Sequence, residues 1–483
     1  MADTLLDELS YVPGIYQLGQ HTPVSMRDQI VRASYLVDRL FRRKTLGRTS
    51  KLAVIGGGVA GITVTLRALD HGIAGVDMVE QADDFMFLQK SNDSRMIDPV
   101  QYDWPASHWE KGRWPVPEIS SPRRYTAVAM LAPADLGTET GAKWAETFKN
   151  LIEPLALAGT KLRFHPHRKA QKWSRLGTAD RRLLLPLVST NGEAPSAIRA
   201  DVIIFAGGFG AENASLKIQS DEKRAFEGIP FWATDRFQEH DFGIDGLERG
   251  VLVAGSGDGA LQDYVRLATG LDTCAEVLKT VLDDLASNAW RKKIEDMWHW
   301  EDHAQRARRI AWPNELHFIQ ERLHARYQEL VDELVKSSDW SRIRQALDDK
   351  IGKRSLDKVY LAYKCNHFSW CYGLNHLVAL IVMAYARARS GKRFEPALPC
   401  HAAIATQNLG HVCERNCWGH RHPVVLGKNV HCHHDDDALK HWPEKDRYIL
   451  TYEGLVIRYG IKPMTMLGEK VTLCPQQIPF HLP

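Results

Sequence analysis

A chain of 483 residues, 44% hydrophobic and 25% charged, has the make-up of an ordinary globular protein, large enough for two or three packed regions and in no need of a disulfide or metal staple. Its formal net charge of +3 is too mild to imply nucleic acid or an anionic membrane as partner. The start, MADTLLDELS, lacks the order of a secretory signal, and the longest apolar run, Leu377–Ala386, is too short to span a bilayer; the expectation is a cytoplasmic chain whose eight cysteines are reduced thiols or metal ligands.

In chain order, residues 1–50 read as a helical extension, with Ile30, Ala33, Val37, Leu40 and Phe41 marking one amphipathic helix over 26–43. Residues 51–80 read as strand, turn, helix, strand, and residues 81–125, rich in Pro, Trp, Asp and Ser, as long loops. Trp144, Phe148, Leu151, Ile152 and Leu155 mark a further helix. The runs Leu162–Phe164, Leu183–Val188 and Ile198–Phe205, with a turn at Asn191-Gly192, read as an inserted β-meander. Another short strand, Leu252–Ala254, runs into a second glycine-rich turn. From about residue 260 to 390 the signal is helical, as in Leu316, Ile319, Leu323, Tyr327, Leu330 and Leu334. The tail from Pro396 is rich in His, Cys and Pro.

The segment KLAVIGGGVAGITVTLRALDHGIAGVDMVEQ carries the strongest signal. Gly56-x-Gly58-x-x-Gly61 follows an apolar strand and opens a helix at Val59. Gly56 allows the tight turn, Gly58 the close approach of a pyrophosphate, and Gly61 close packing of helix on strand. The N–H groups around Val59, Ala60 and Gly61 sit at the positive end of that helix. Glu80, followed by Gln81, ends the next strand, where a carboxylate accepts hydrogen bonds from ribose hydroxyls.

This block resembles the FAD-binding entry of the two-dinucleotide-binding-domain flavoproteins, a superfamily that includes flavin monooxygenases, amine oxidases and disulfide reductases. ADVIIFAGGFG, with Ala206, Gly207 and Gly208, is similar to the strand on which that superfamily returns past the bound nucleotide. GVLVAGSGDGALQD admits two readings. Gly255-x-Gly257-x-x-Ala260 is a second dinucleotide fingerprint, for NAD(P)H; or Gly257-Asp258 is similar to the element whose Asp holds the ribityl chain of FAD. A second nucleotide unit needs another strand about twenty residues later, and residues 274–281 make a poor one, so both readings stand.

If FAD lies along the first motif, the loop after Glu80 passes near it. There Arg95 suits a phosphate or a substrate carboxylate, Trp104 an aromatic wall, and His108 proton movement near neutral pH. No single catalytic residue is assigned. The stretch from Lys364 to His376 offers polar groups beside a buried helix, either lining a substrate cavity or starting a packed helix. No C-x-x-C pair is present, which argues against disulfide reduction. In the tail, His411, Cys413, Cys417 and His420 are dense in soft and imidazole donors but lack standard zinc spacing, so no metal is assigned.

These readings sum to an α/β chain: a helical extension (1–50), a Rossmann-type FAD-binding domain with the inserted meander (51–263), a large helical region (264–395) and a Cys/His-rich end (396–483). The resemblance implies an FAD-dependent oxidoreductase acting on a small organic substrate, an NAD(P)H-using monooxygenase first. An amine or amino-acid oxidase without NAD(P)H and a non-catalytic, nucleotide-stabilised interaction protein are the alternatives. A homo-oligomer is left open.

Overall fold

A computed structural model describes residues 4–98, 101, 104, 138–208, 210, 212–237, 250–283, 288–310, 315–363, 367–390, 397–404, 422–428, 447–460, 464–466, 469–471 and 474–477, less 20, 23–24, 178–181, 219–220, 353–357 and 453. Two compact units divide the chain: residues 1–99, 112–211 and 462–483 form the first, and 100–111 with 212–461 the second.

In the first unit, β1 (Ile15–Gln17), β2 (Lys51–Ile55), β3 (Gly75–Val79), β4 (Leu162–His165) and, beyond the meander, the strand Val202–Phe205 are parallel neighbours. Leu52–Val54, Val76–Val79 and Val202–Phe205 are buried, as befits a parallel sheet covered on both faces. Helix α1 (Met26–Arg42) starts in a capping box, Ser25 accepting from the Asp28 N–H and Asp28 reaching back to the Ser25 N–H. It packs on α2 (Val59–Asp70); α3 (Gly141–Ala158) follows. The meander is an antiparallel sheet of β5 (Arg168–Ala170), β6 (Ser174–Arg175), β7 (Leu183–Ser189) and β8 (Ser196–Ala200).

Sequence reading joins Ile198–Phe205 into one strand. The chain instead breaks at Asp201, whose carboxylate accepts from the Lys51 N–H at 2.7 Å, and β9 (Val202–Phe205) then enters the parallel sheet. The order β4-β3-β2-β9-β1 reverses between β2 and β9, the switch point outside which open α/β sheets bind ligands. The amino-terminal segment, read as a helical extension, supplies a strand of this sheet.

In the second unit, β10 (Ser215–Ile218) and β11 (Asp221–Glu227) precede β12 (Val251–Ala254) and α4 (Asp258–Thr269). Then come α5 (Cys274–Asp283), α6 (Asn288–Ile310), α7 (Leu316–Lys336) and α8 (Trp340–Ile351). Only after these four helices does β13 (Val359–Tyr363) pair with β12. Buried helix α9 (Gly373–Ser390) follows, then β14 (Ala397–Ile404), β15 (His422–Lys428), β16 (Arg447–Tyr452) and β17 (Gly454–Ile457). The parallel strands run β14-β13-β12-β17, so the reversal falls between β12 and β17.

Counted from the strand that precedes each glycine turn, both sheets therefore place four parallel strands in the order third, second, first, fourth, as a Rossmann sheet does. The expected boundary at 263 moves as a result. Residues 212–263 belong with the helices and with β17, because β12 pairs with strands that come after the helices. No helix among the described residues is long and apolar enough to cross a membrane.

Candidate functional site

The first glycine turn connects β2 to α2. Gly56 has φ +111°, and a Cβ there would overlap the carbonyl oxygen of Ala206 at the end of β9. A Cβ on Gly61 would overlap the Gly56 carbonyl oxygen. Glycine is thus enforced at both places by backbone, not by preference. Gly58 differs: its φ is ordinary, it caps α2 with no side-chain hydrogen bond, and a Cβ would meet nothing within 4 Å. The N–H groups opening α2 at Val59, Ala60 and Gly61 thus have no capping side chain, at the positive end of the helix dipole.

Glu80 lies at the end of β3, as expected. Its carboxylate accepts from the Gly57 N–H at 2.6 Å and the Ala82 N–H at 2.9 Å, which ties Gln81 and its neighbours to the turn. Each oxygen has a second lone pair. Ala206 donates its N–H to Ile55 at 2.7 Å, and Gly208 has φ +81°. Sequence reasoning did not find Gly19. Leu18 donates to the Phe205 carbonyl at 2.9 Å, and a Cβ on Gly19 would overlap the Gly208 carbonyl oxygen. The signal was a glycine shortly after the apolar pair Ile15-Tyr16.

The second turn repeats this geometry. Gly255 has φ +137°, and a Cβ there would overlap the Arg458 carbonyl oxygen after β17. Gly56 and Gly255 each donate to the neighbouring strand, to Val79 and Ala362, both at 2.8 Å. Ala206 and Arg458 each donate back to the first strand, both at 2.7 Å, and Gly208 is matched by Gly460 at φ +84°. Gly257 caps α4 without a side-chain bond, and a Cβ on it would meet nothing within 4 Å.

Register shows where the two turns differ. Val79 corresponds to Ala362, so Tyr363 stands where the first unit has Glu80. Asp258 opens α4, and its Oδ1 accepts from the Tyr372 N–H at 2.8 Å and from Asn375 Nδ2 at 2.7 Å. Its carboxylate is thereby engaged by the segment that begins α9. Gly257 and Asp258 lie in a different unit from Gly56, Glu80 and Gly208.

A buried polar network adjoins the second turn. The hydroxyls of Ser256 and Ser369 are 2.8 Å apart, and Gln320 Nε2 donates to the Ser369 carbonyl at 3.3 Å. His317, Gln320, His324 and Tyr327 fall on one face of α7 by helical spacing. His317 and His367 are bonded at 2.6 Å, and His324 and His376 at 2.8 Å. Tyr327 stacks on His376 and donates to Glu301 at 2.5 Å. Burial lifts the Glu301 carboxyl to about 7 and drops His324 to about 4; it also holds His376 well below the usual imidazole range. Gln320 Oε1, Asn375 Oδ1 and His376 Nδ1 are buried with no hydrogen-bond partner among the described residues, so this junction suits ordered water or a polar ligand group.

Of the loop candidates, Arg95 is buried in the first unit, its N–H donating to Asn92 Oδ1 at 2.7 Å. Trp104 belongs to the second unit, stacked on Tyr327. The structure does not bring these two together in one unit. His108, Lys364 and the tail donors His411, Cys413, Cys417 and His420 lie outside the described residues. Among the described residues no group of three or more His, Cys, Asp or Glu is placed to hold a metal ion.

No known family and no curated protein matches this sequence. Solved structures similar in layout include an ornithine N-hydroxylase from Kutzneria sp. 744, at 14% identity and TM-score 0.39, covering 86% of this chain and 82% of that one. An ornithine hydroxylase from Pseudomonas aeruginosa is similar at 10% identity and TM-score 0.36, covering 86% and 84%. A thioredoxin reductase from Lactococcus lactis is similar at 10% identity and TM-score 0.37, covering 87% and 80%. Likeness at this distance is one of layout alone.

Proposed function

We propose that this chain is an FAD-dependent oxidoreductase that also uses NAD(P)H, in the manner of a flavin monooxygenase acting on a small organic substrate. The observation that carries this reading is the repetition of one turn: Gly56 against Ala206 and Gly255 against Arg458, each leading into a helix with no side-chain cap. An uncapped helix start beside a glycine without side-chain neighbours fits a diphosphate.

FAD is assigned to the first turn. Gly58, Val59, Ala60 and Gly61 would face its pyrophosphate, Glu80 its adenosine ribose, and Ala206, Gly207 and Gly208 would flank its path. NAD(P)H is assigned to Gly255–Ala260. This favours the fingerprint reading of that segment over one in which Asp258 holds FAD, since the Asp258 carboxylate is bonded to Tyr372 and Asn375. Bound in these places, the flavin supplies the electron transfer and the nicotinamide the reducing hydride. The junction of Gln320, Asn375 and His376 is the place assigned to substrate polar groups.

Two measurements test this. Purified protein is expected to show flavin absorbance bands near about 370 and 450 nm. Anaerobic NADPH is expected to bleach them rapidly. Bleaching by an amine but not by NADPH would replace this reading with an oxidase, and a protein that retains no flavin would overturn it.

A further inference from the structure

We infer that two imidazole pairs, His317 with His367 and His324 with His376, form an acid-released staple that docks the first half of α7 onto the segment bracing the second glycine turn. The inference concerns the second unit by itself and does not rest on the nucleotides assigned above.

The segment from His367 to His376 is the brace. Ser369 donates its N–H to the Ser256 carbonyl at 3.1 Å and to the Ser256 hydroxyl at 3.2 Å, and Tyr372 and Asn375 donate to Asp258. Helix α7 meets this segment at three levels: His317 with His367 at 2.6 Å, Gln320 with the Ser369 carbonyl at 3.3 Å, and His324 with His376 at 2.8 Å. From its first half α7 contributes Leu323 and, in part, Ile319 to the apolar core, whereas Tyr327, Leu330, Val331 and Leu334 anchor its second half there.

Proton count decides whether the staple holds. His367 Nδ1 lies 2.8 Å from the Phe368 carbonyl oxygen, which can only accept. Nδ1 therefore carries the hydrogen, and in the neutral ring Nε2 is bare and accepts from His317. An imidazole pair can share one added proton but has no bond left once both rings are charged. His317 and His324 are half-buried, so protons reach both pairs, while His367 and His376 are buried. Burial is the main reason that His324 is held at about 4 and that His367 and His376 lie below the usual imidazole range. Rings that resist protons when docked and accept them near about 6.5 when free favour the docked state fully above that pH. The preference is lost as pH falls toward about 4.

The other titratable groups around the cluster are Glu301 of α6, bonded to Tyr327; Asp258 of α4, bonded to Asn375; Glu321 of α7; and Cys371, whose thiol burial pushes well up. Glu321 alone among them favours a charged imidazole, at His367, and burial outweighs it there. Acid thus frees the first half of α7 and slackens the brace, while the second half stays in the core.

Hydrogen exchange read by mass spectrometry on the full chain, between about pH 7.5 and 5 and corrected for the intrinsic pH dependence of exchange, tests this. Peptides within 317–324 and 367–376 are expected to lose protection together below about pH 6.5, by about tenfold per pH unit for each proton taken up. Peptides within 328–336 and within α1 should hold theirs. His324→Gln and His367→Gln each remove one titrating ring, so each should lower that slope by about one proton. His71→Gln, a change at a histidine paired with Asp38 in the first unit, should leave it as in wild type. Protection of 317–324 that does not follow pH, or that falls only together with α1, would overturn the inference, as would unchanged slopes in both glutamine variants. If a variant does not fold, the wild-type profile of 317–324 against that of α1 decides.

Discussion

The two glycine turns of this chain share a backbone and differ in their side chains. Gly56 and Gly255 each donate to the neighbouring strand at 2.8 Å, Ala206 and Arg458 each donate back to the residue before the glycine at 2.7 Å, and both glycines are forbidden a side chain by the same kind of carbonyl. Around that frame the first turn has Gly61, Glu80 and Ala206, whereas the second has Ala260, Tyr363 and Arg458. At the first, helix and turn approach as closely as backbone allows, and a carboxylate is bonded to the turn itself. The second has a methyl in place of that closest packing, a guanidinium paired with Asp263, and contact with a buried polar network. One backbone turn thus accepts quite different side chains in register around it.

The largest effect should break the packing half of that comparison. Gly61→Ala drives a Cβ into the Gly56 carbonyl oxygen; a cost on the order of 3–5 kcal/mol and loss of flavin are expected. The mirror change, Ala260→Gly, should cost only about 1 kcal/mol, the penalty of glycine in a helix. Urea unfolding of both variants measures the pair. Equal losses would show that the two turns do not differ as described.

A smaller effect follows from the network beside the second turn. The Glu301 carboxyl is raised from 4.5 to about 7 by burial, with the Asp258 carboxylate adding to the rise. A carboxyl whose proton is held more tightly in the folded state stabilises the fold fully below its ordinary pKa, and that contribution is lost as pH rises through about 7. Glu301→Gln has no proton to lose and keeps an acceptor for Tyr327. Its stability relative to wild type should therefore improve by on the order of 2–3 kcal/mol between pH 4.5 and 8. His324, His367 and His376, held below the usual imidazole range, act in the opposite direction: their contribution is present above about 6.5 and lost as pH falls. They are common to both proteins and cancel in the difference. A flat difference across this range would show that Glu301 titrates as an ordinary carboxyl.

The smallest expected change in stability is also the most selective in function. Gly58→Ala and Gly257→Ala each place a methyl where no heavy atom lies within 4 Å, at an ordinary φ. Each should alter stability by less than about 1 kcal/mol. The first should weaken FAD retention and the second NADPH affinity, each about tenfold or more and without crossing over. Crossing over would mean that the nucleotides had been assigned to the wrong turns.

Much of the first turn is legible in the residues. Gly56, Gly58, Gly61 and Glu80 carry it because each is required within a short stretch, where spacing alone suffices. The helix at 26–42 shows itself by period, and Leu316–Leu334 likewise. The second unit is hidden because its second strand is displaced: Val359–Tyr363 comes after the five helices α4–α8, so the window after Gly255 contains Cys274–Asp283 as helix. Arg458 is hidden for the same reason, since its meaning depends on Gly454–Ile457 pairing with Val251–Ala254, far earlier in the chain. Asp258 carries a motif, but its partners Tyr372 and Asn375 come from a helix start that no local pattern connects to it. Gly19 is hidden because its necessity lies in a carbonyl far along the chain.

The insertion of α5–α8 between β12 and β13 also bears on how the chain is made. Strands β2, β3 and β4 are all available to pair once residue 165 has left the ribosome. The second sheet cannot close until β17 emerges at residues 454–457, because β12 pairs with it along its whole length. Sequence-distant pairing of this kind is slow and leaves strand edges exposed. In the interval β12 and β13 wait as an apolar half-sheet, so ribosome-bound chains halted before residue 454 should be the aggregation-prone form of this protein.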